Sequence, residues 1–314
     1  MTLSHFVARA RNKANFQEIE DYLQFTSDLL SSQSSWLQAE IVCQNEPNYR
    51  FWQLLIESRF PISRPLNATL LCSLNDLRDF KAHLLGDIGR REFMTSLDPS
   101  ARELMNRVIY TSQQCIGVAL DGLPADASNF ARKLNGDLFE RQMQLWIRRM
   151  GVDCSSATVR VPVYVDGVKQ CDMNFQHDLV LTAGEEVKVI GSVKTSSKDR
   201  LGKIFTDKLL LNALTEKAVP HVAIFLNDVQ RGKKSDRTYR VASTFLPGHF
   251  KAFTIKINPL DGVYYCDLRP SMKTDPLLNA SIFRIDRLLC EDLWALLDRD
   301  IHAPIAIEDD EGLS

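Results

Sequence analysis

The sequence lacks every arrangement of cysteines that would indicate a disulfide framework or a zinc site. Its seven cysteines are an odd number, stand far apart and include no CxxC or CxxH pair. Disulfide-rich domains and structural zinc sites carry recognisable, closely spaced ligands. We therefore predict that the cysteines are small buried side chains and that the protein is reduced and cytoplasmic.

Long apolar runs, low-complexity tracts and a large net charge are also missing. A membrane span needs about 20 apolar residues, and runs such as Val222–Leu226 are interrupted by polar residues within a few positions. No apolar core follows Arg9, Arg11 and Lys13, so we expect no secretory signal. With 45% hydrophobic residues, the chain is too apolar to be mainly disordered. A net charge of −2, taken alone, argues against a nucleic-acid partner.

The first part of the chain, residues 1–125, is predicted to be mostly helical. Apolar residues recur at helical spacing from Phe16 to Leu30, and Phe51, Leu54 and Leu55 show the same spacing. The turn-rich stretch 122–128 contains Gly, Pro, Asp and Ser and indicates a boundary. We expect this region to supply dimer contacts or contacts to flanking DNA.

The second part, residues 126–314, alternates helices and strands. A long amphipathic helix is predicted over 130–150, and Asp166-Gly167 is a strong hairpin turn. Strands are predicted over 158–165, 178–182, 187–194 and 221–226, and a helix over 198–217. Further strands are expected near 251–258 and 263–268, with a helix over 282–297. This order predicts an α/β fold with a central mixed sheet flanked by helices.

One acid and one lysine stand on the predicted hairpin, Asp178 and Lys194. Ser192 and Lys194 share a face of their strand, and the hairpin can bring Asp178 beside them. An acid followed after a hairpin by an acid-x-Lys pair is typical of metal-dependent nucleases. The acids hold Mg²⁺ against the scissile phosphate, and the lysine stabilises charge or orients the attacking water.

Ser192 departs from that pattern because it stands where an acid is expected. A serine hydroxyl is a poorer Mg²⁺ ligand than a carboxylate, so a second acid must come from elsewhere. Asp207, on the following helix, is the first candidate, and Glu140, on the long preceding helix, is another. Ser192 itself would be a spectator or would bond water.

These residues resemble the PD-(D/E)xK Type II restriction endonucleases that recognise CC…GG targets. The resemblance covers about 178–208, plus Glu140 by position, and includes a Lys198-Asp199-Arg200 triplet after the catalytic lysine. It implies a restriction-endonuclease-like core, Asp178 and Asp207 as ligands of Mg²⁺, and Glu140 acting on the metal through water. It also implies a homodimer or tetramer that cuts a palindrome in double-stranded DNA and leaves 5′ overhangs. His177 in place of the usual proline, Asp207 in place of Glu and the short gap before Lys194 depart from the family pattern.

The triplet also has the chemistry of a base-reading element. Arg200 can bond guanine O6 and N7, Asp199 can accept from cytosine N4, and Lys198 can reach another guanine. The segment 194–240 holds 11 basic and 5 acidic residues, so its net charge is +6. The near-zero total therefore hides a basic segment that can face DNA.

Ordinary structural roles for these residues remain open from the sequence alone. Asp178 and Lys194 could be an ordinary surface pair, the triplet a charge cluster at a helix start, and Glu140 a partner of Gln144 one turn along its helix. Two other functions also stay open. One is a different PD-(D/E)xK nuclease of repair or mobile elements, and the other is a DNA-binding protein whose nuclease centre has decayed.

Overall fold

A computed structural model describes residues 1–32, 37–43, 46–54, 64–184, 186–231, 241–299 and 306–309. The α-helices are α1 Leu3–Arg11, α2 Ile19–Ser31, α3 Leu74–His83, α4 Arg91–Ser96, α5 Pro99–Asp121, α6 Ser128–Arg149, α7 Leu201–Thr215, α8 Pro247–Lys256, α9 Pro270–Thr274, α10 Pro276–Ser281, α11 Ile285–Arg287 and α12 Leu293–Leu297. The strands are β1 Leu37–Cys43, β2 Glu46–Leu54, β3 Asp153–Val165, β4 Val168–Ala183, β5 Glu186–Lys194, β6 His221–Phe225, β7 Val229–Arg231, β8 Val241–Ser243, β9 Gly262–Tyr265, β10 Ile282–Arg284 and β11 Ala306–Asp309. A π-helical stretch, Leu288–Asp292, joins α11 to α12.

The main sheet is mixed and has the strand order β10-β9-β6-β5-β4-β3-β11. Strands β3, β4, β5 and β11 pair antiparallel, while β5, β6, β9 and β10 pair parallel. The predicted turn between β3 and β4 is present, because Asp166 and Gly167 both have positive φ, at 49° and 76°. The predicted order of helix and strands from α6 to β6 is confirmed.

Helices cover both faces of this sheet. Leu179 and Leu181 of β4 pack on one face with side chains of α5 and α6, such as Trp146. Val180, between them, points to the other face and packs in a cluster with Leu211 of α7. This alternation gives the three-layer architecture that the sequence predicts.

The largest hydrophobic core contains side chains from both sides of position 125. Leu23 of α2 and Phe80 of α3 lie in the same cluster as Trp146 of α6 and Leu179 of β4. The ring centroids of Phe80 and Trp146 are 6.0 Å apart. The helices of the N-terminal region therefore pack directly on the helical layer of the sheet.

A second, four-stranded sheet has the order β2-β1-β8-β7. It corrects the prediction of a helix around Phe51 and Leu54, which lie in β2 opposite Ile41 and Leu37 of β1. Tyr49 and Phe51, two residues apart, are both buried, which is the period of a strand and not of a helix. Leu55 lies outside the described residues.

Two predictions near the C-terminus are also corrected. Residues 251–256 belong to α8, because Phe250 and Phe253, three apart, both pack against Phe205 of α7. The predicted helix over 282–297 begins three residues late, because Ile282–Arg284 form β10 at the edge of the main sheet. Within the described ranges, no helix is long and apolar enough to span a membrane.

Candidate active site at the β4 bulge

Asp178 lies at an irregularity of β4. Ser155 of β3 pairs with Val180 and Ala157 pairs with His177, so β4 has one residue more than β3 between these pairs. This extra residue is a β-bulge, which bends a strand and re-aims a side chain. The pairing of β4 with β5 also ends here, at Leu179 opposite Gly191.

Where the β4–β5 pairing ends, the carboxylate of Asp178 takes the place of a backbone hydrogen-bond acceptor for β5. Its Oδ2 accepts hydrogen bonds from the backbone N–H of Val193 at 2.7 Å and from Lys194 Nζ at 2.5 Å. Gln144 of α6 donates to the backbone carbonyl of Asp178 at 2.9 Å. The carboxylate is therefore held from both the strand side and the helix side.

Glu140 of α6 reaches the same lysine. Its Oε1 accepts from Lys194 Nζ at 2.9 Å, so Asp178 and Glu140 flank one ammonium group. Burial, and then the nearby charge of Asp178, raise the pKa of Glu140 to about 7, although Lys194 opposes the shift. The structure therefore joins Glu140 to Lys194, and Gln144, its alternative partner, bonds Asp178 instead.

Lys194 stays protonated in this environment. Burial works against its charge, but the adjacent Asp178 and Glu140 outweigh burial and raise the pKa of Lys194. The group is thus a cation at neutral pH. Ser192 is buried, at 8% exposure, and lies on β5 two residues before Lys194.

Asp207 is not brought into this group in the free protein. It forms an ion pair with Lys203, one turn before it on α7. Among the described residues, no hydrogen bond or ion pair joins Asp207 to Asp178, Glu140 or Lys194. Its role as a metal ligand therefore stays a prediction.

The pair Asp178 and Glu140 fits a Mg²⁺ ion. Both side chains bond Lys194 Nζ, at 2.5 Å and 2.9 Å, so the two carboxylates face one position, which the ammonium group would have to yield to the ion. Mg²⁺ commonly binds to one or two carboxylates and completes its shell with water and substrate phosphate. No three His, Cys, Asp or Glu side chains converge on one metal position in the part of the chain that the structure describes. Two protein ligands with open positions would leave room for a phosphate.

The helix predicted over 198–217 begins at Leu201, so the predicted base-reading triplet lies not in a helix but in the preceding loop, Ser196–Arg200, which we call the recognition loop. Lys198, Asp199 and Arg200 are all exposed, and Asp199 adopts a left-handed conformation with φ 57°. Lys198 Nζ donates to Gln230 Oε1 at 3.0 Å. Asp199 and Arg200 are open to solvent, as base reading would require.

Asp228, which the sequence analysis did not identify, anchors the recognition loop from the protein interior. It is fully buried, and its Oδ1 accepts from the backbone N–H of Ser197 at 2.9 Å, from Ser197 Oγ at 2.5 Å and from Thr244 Oγ1 at 3.1 Å. Tyr265 donates to its other oxygen. Burial raises the pKa of Asp228, and the hydrogen bonds from Ser197 and Tyr265 counter that shift. A polar residue at the end of an apolar strand, β6, was the available sequence signal.

A cleft of about 530 Å³ connects the two sites. One wall is α6, with Arg132, Lys133, Asp137 and Glu140, and the other is the stretch from Val193 to Arg200. Five basic side chains line it against two acidic ones, and Asp137 is paired with Lys13 at 2.9 Å. The cleft therefore has a net positive lining that ends at the Glu140–Lys194–Asp178 group.

The fold of a solved restriction endonuclease matches this chain. The crystal structure of the Type IIP restriction endonuclease Kpn2I superimposes with a TM-score of 0.66, covering 94% of this chain and 97% of that one, at 15% identity. The chain has the restriction-endonuclease fold. The predicted fold class is thereby confirmed.

Other comparisons add little to this result. A complex of the restriction endonuclease PspGI with substrate DNA covers 72% of this chain and 91% of that one at 12% identity, with a TM-score of 0.42, too low to support an argument. No protein-family description matches the sequence. No curated protein matches it either.

Proposed function

We propose that this protein is a Type II restriction endonuclease that hydrolyses double-stranded DNA with Mg²⁺. The observation that carries the proposal is the Glu140–Lys194–Asp178 group, which lies at the end of a basic cleft next to an exposed base-reading triplet. A restriction-endonuclease fold supports it. The target we propose is a palindrome containing CC…GG, cut to leave 5′ overhangs by a homodimer with one active site per strand.

The residues of the group have distinct parts in this reaction. Asp178 and Glu140 would hold the Mg²⁺, which neutralises phosphate charge and lowers the pKa of water when it is bound. Lys194, protonated beside them, would stabilise the charge that develops on the phosphate. Ser192 would be a spectator or would bond water. Asp207, the ligand that the family resemblance assigns, would have to leave Lys203 to take part.

The residues that would contact bases, in the recognition loop, lie only a few positions after Lys194 of the proposed catalytic group. Arg200 and Asp199 present the donors and the acceptor that pair with guanine and cytosine in the major groove. Arg132 and Lys133 of α6, on the other wall of the cleft, would contact phosphates. The chain would thus hold the DNA between α6 and the loop.

Digestion of a sequenced plasmid in Mg²⁺, with the ends mapped by sequencing, tests the proposal. We expect discrete ends at one palindromic CC…GG motif. Random or structure-dependent breaks would instead indicate another PD-(D/E)xK nuclease. Binding without breaks would indicate a DNA-binding protein with a decayed centre.

Two variants of the centre sharpen this test. Lys194→Ala and Asp178→Ala should lose at least 100-fold in cleavage, on the order of the loss of a key electrostatic group, while they still bind DNA. Lys169→Ala, at an exposed lysine of the β3–β4 hairpin that is paired with Asp172, is the matched control. Full cleavage by Lys194→Ala or Asp178→Ala would refute the proposed centre.

A further inference from the structure

The two central parallel strands, β5 and β6, continue side by side beyond the sheet. Lys194 lies in register with Phe225, and the backbone N–H of Leu226 donates to the carbonyl of Lys194 at 3.1 Å. Farther on, Asp228 accepts two hydrogen bonds from Ser197. The segment after β6 is therefore attached to the recognition loop along its length.

The outer end of this second segment carries Gln230. Gln230 is exposed on β7, and its Oε1 accepts from Lys198 Nζ at 3.0 Å. Its side-chain nitrogen makes no hydrogen bond within the described ranges. The buried Asp228 holds the recognition loop against the segment after β6. The exposed side chains of Lys198 and Gln230 therefore present their polar groups on one surface.

The chemistry of Gln230 complements that of the triplet. Lysine and arginine offer only donors, and an aspartate offers only acceptors. A glutamine amide offers a donor and an acceptor together, which is the combination that matches N7 and N6 of adenine in the major groove. The triplet alone has no group of this kind.

We propose that Gln230 is a specificity-determining residue that reads an adenine next to the base contacted by Lys198. The recognised sequence would then extend beyond CC…GG by an A·T pair in each half-site. This inference rests on the proposed function, since it assigns a further base to the same recognition surface. On DNA, the contact between Lys198 and Gln230 would hold the two readers in register.

Cleavage of a DNA library with randomised positions around the cut motif tests the inference. Sequencing of the products from the wild type should show an adenine preference at one position in each half-site. Gln230→Ala should reduce that preference by about tenfold to a hundredfold and leave the CC and GG positions unchanged. Gln230→Glu should shift it to cytosine, because a carboxylate only accepts.

A matched control and the opposing outcomes make the result decisive. Gln170→Ala, at an exposed glutamine of the β3–β4 hairpin, should keep the wild-type sequence preference. If the wild type cuts a defined motif and Gln230→Ala cuts with the same preference, or is weaker on all sequences equally, the inference is wrong and the proposed function stands. If the wild type cuts no defined motif, both fail.

Discussion

Glu140→Gln should remove a loss of folding stability that the wild type suffers as pH rises. Glu140 has its pKa raised from 4.5 to about 7 in the folded protein, because burial and then Asp178 disfavour its charge. Between these two values the folded chain binds more protons than the unfolded chain, so stability falls as pH rises. A glutamine has the shape of the protonated acid and cannot ionise, so the variant escapes this loss.

The magnitude follows from the size of the shift. A shift from 4.5 to about 7 corresponds to roughly 3 kcal/mol, at about 1.4 kcal/mol per pKa unit. The side chain is 22% exposed, so little of this is lost to solvent screening. Relative to the wild type, the variant should therefore gain roughly 3 kcal/mol of unfolding free energy between pH 4.5 and pH 8.

The assay is urea unfolding of both proteins over that pH range, read as the difference in unfolding free energy. The difference is needed because other groups also titrate: burial lowers the pKa of His177 to about 4, which makes stability rise with pH and opposes Glu140. Glu92→Gln, at an exposed glutamate of α4, is the control for the substitution itself. Saturating Mg²⁺ should flatten the dependence in the wild type only, because a metal ligand must be ionised.

A difference that stays constant between pH 4.5 and pH 8 would refute this account. Glu140 would then not be held as a buried acid beside Asp178. An opposite slope, with the variant losing stability as pH rises, would mean that the ion pair with Lys194 dominates over burial.

Four further substitutions test side chains in and around the cleft. Asp207→Ala should retain cleavage and lose at most about 0.5 kcal/mol of stability, the worth of its pair with the exposed Lys203. A strong loss of cleavage would instead establish Asp207 as a metal ligand. Asp228→Ala should lower the unfolding free energy by about 2–4 kcal/mol and weaken discrimination between DNA sequences, because the buried donors of the recognition loop lose their acceptor. Unchanged stability in urea unfolding would contradict this prediction. Arg132→Ala and Lys133→Ala should weaken binding to all sequences alike and reduce the salt slope by about one each, and a loss for one sequence only in gel-shift titrations would show base contact instead.

Local periodicity was sufficient for several elements of the core. Helix α6, β5 and β6 lie close to their predicted ranges, and the turn at Asp166-Gly167 needs only the two residues that tolerate positive φ. Strand β4 begins at Val168, ten residues before the predicted range 178–182, because its first part pairs with β3 across that turn. Shorter segments are ambiguous. β2 and α8 are decided by their partners, β1 and α7, which the sequence does not reveal.

The centre shows the same division. Asp178 and Lys194 lie on one hairpin, so their spacing along the chain already predicts that they can meet. Glu140 meets Lys194 from 54 residues away, and the spacing does not distinguish it from Asp207. The choice between them in the free protein depends on how α6 packs against the end of β5.

The sequence by itself determined the mixed α/β core, the acid and lysine of the hairpin and the exposed triplet, because each depends on neighbours within one or two elements. Only the tertiary structure decided that β4 bulges at Asp178, that Glu140 completes the group, and that Asp228 ties the recognition loop to β6. These features depend on strand register and helix docking across distant parts of the chain. Burial and neighbouring charges then set the pKa values of Glu140 and Lys194, and the sequence pattern does not predict either effect.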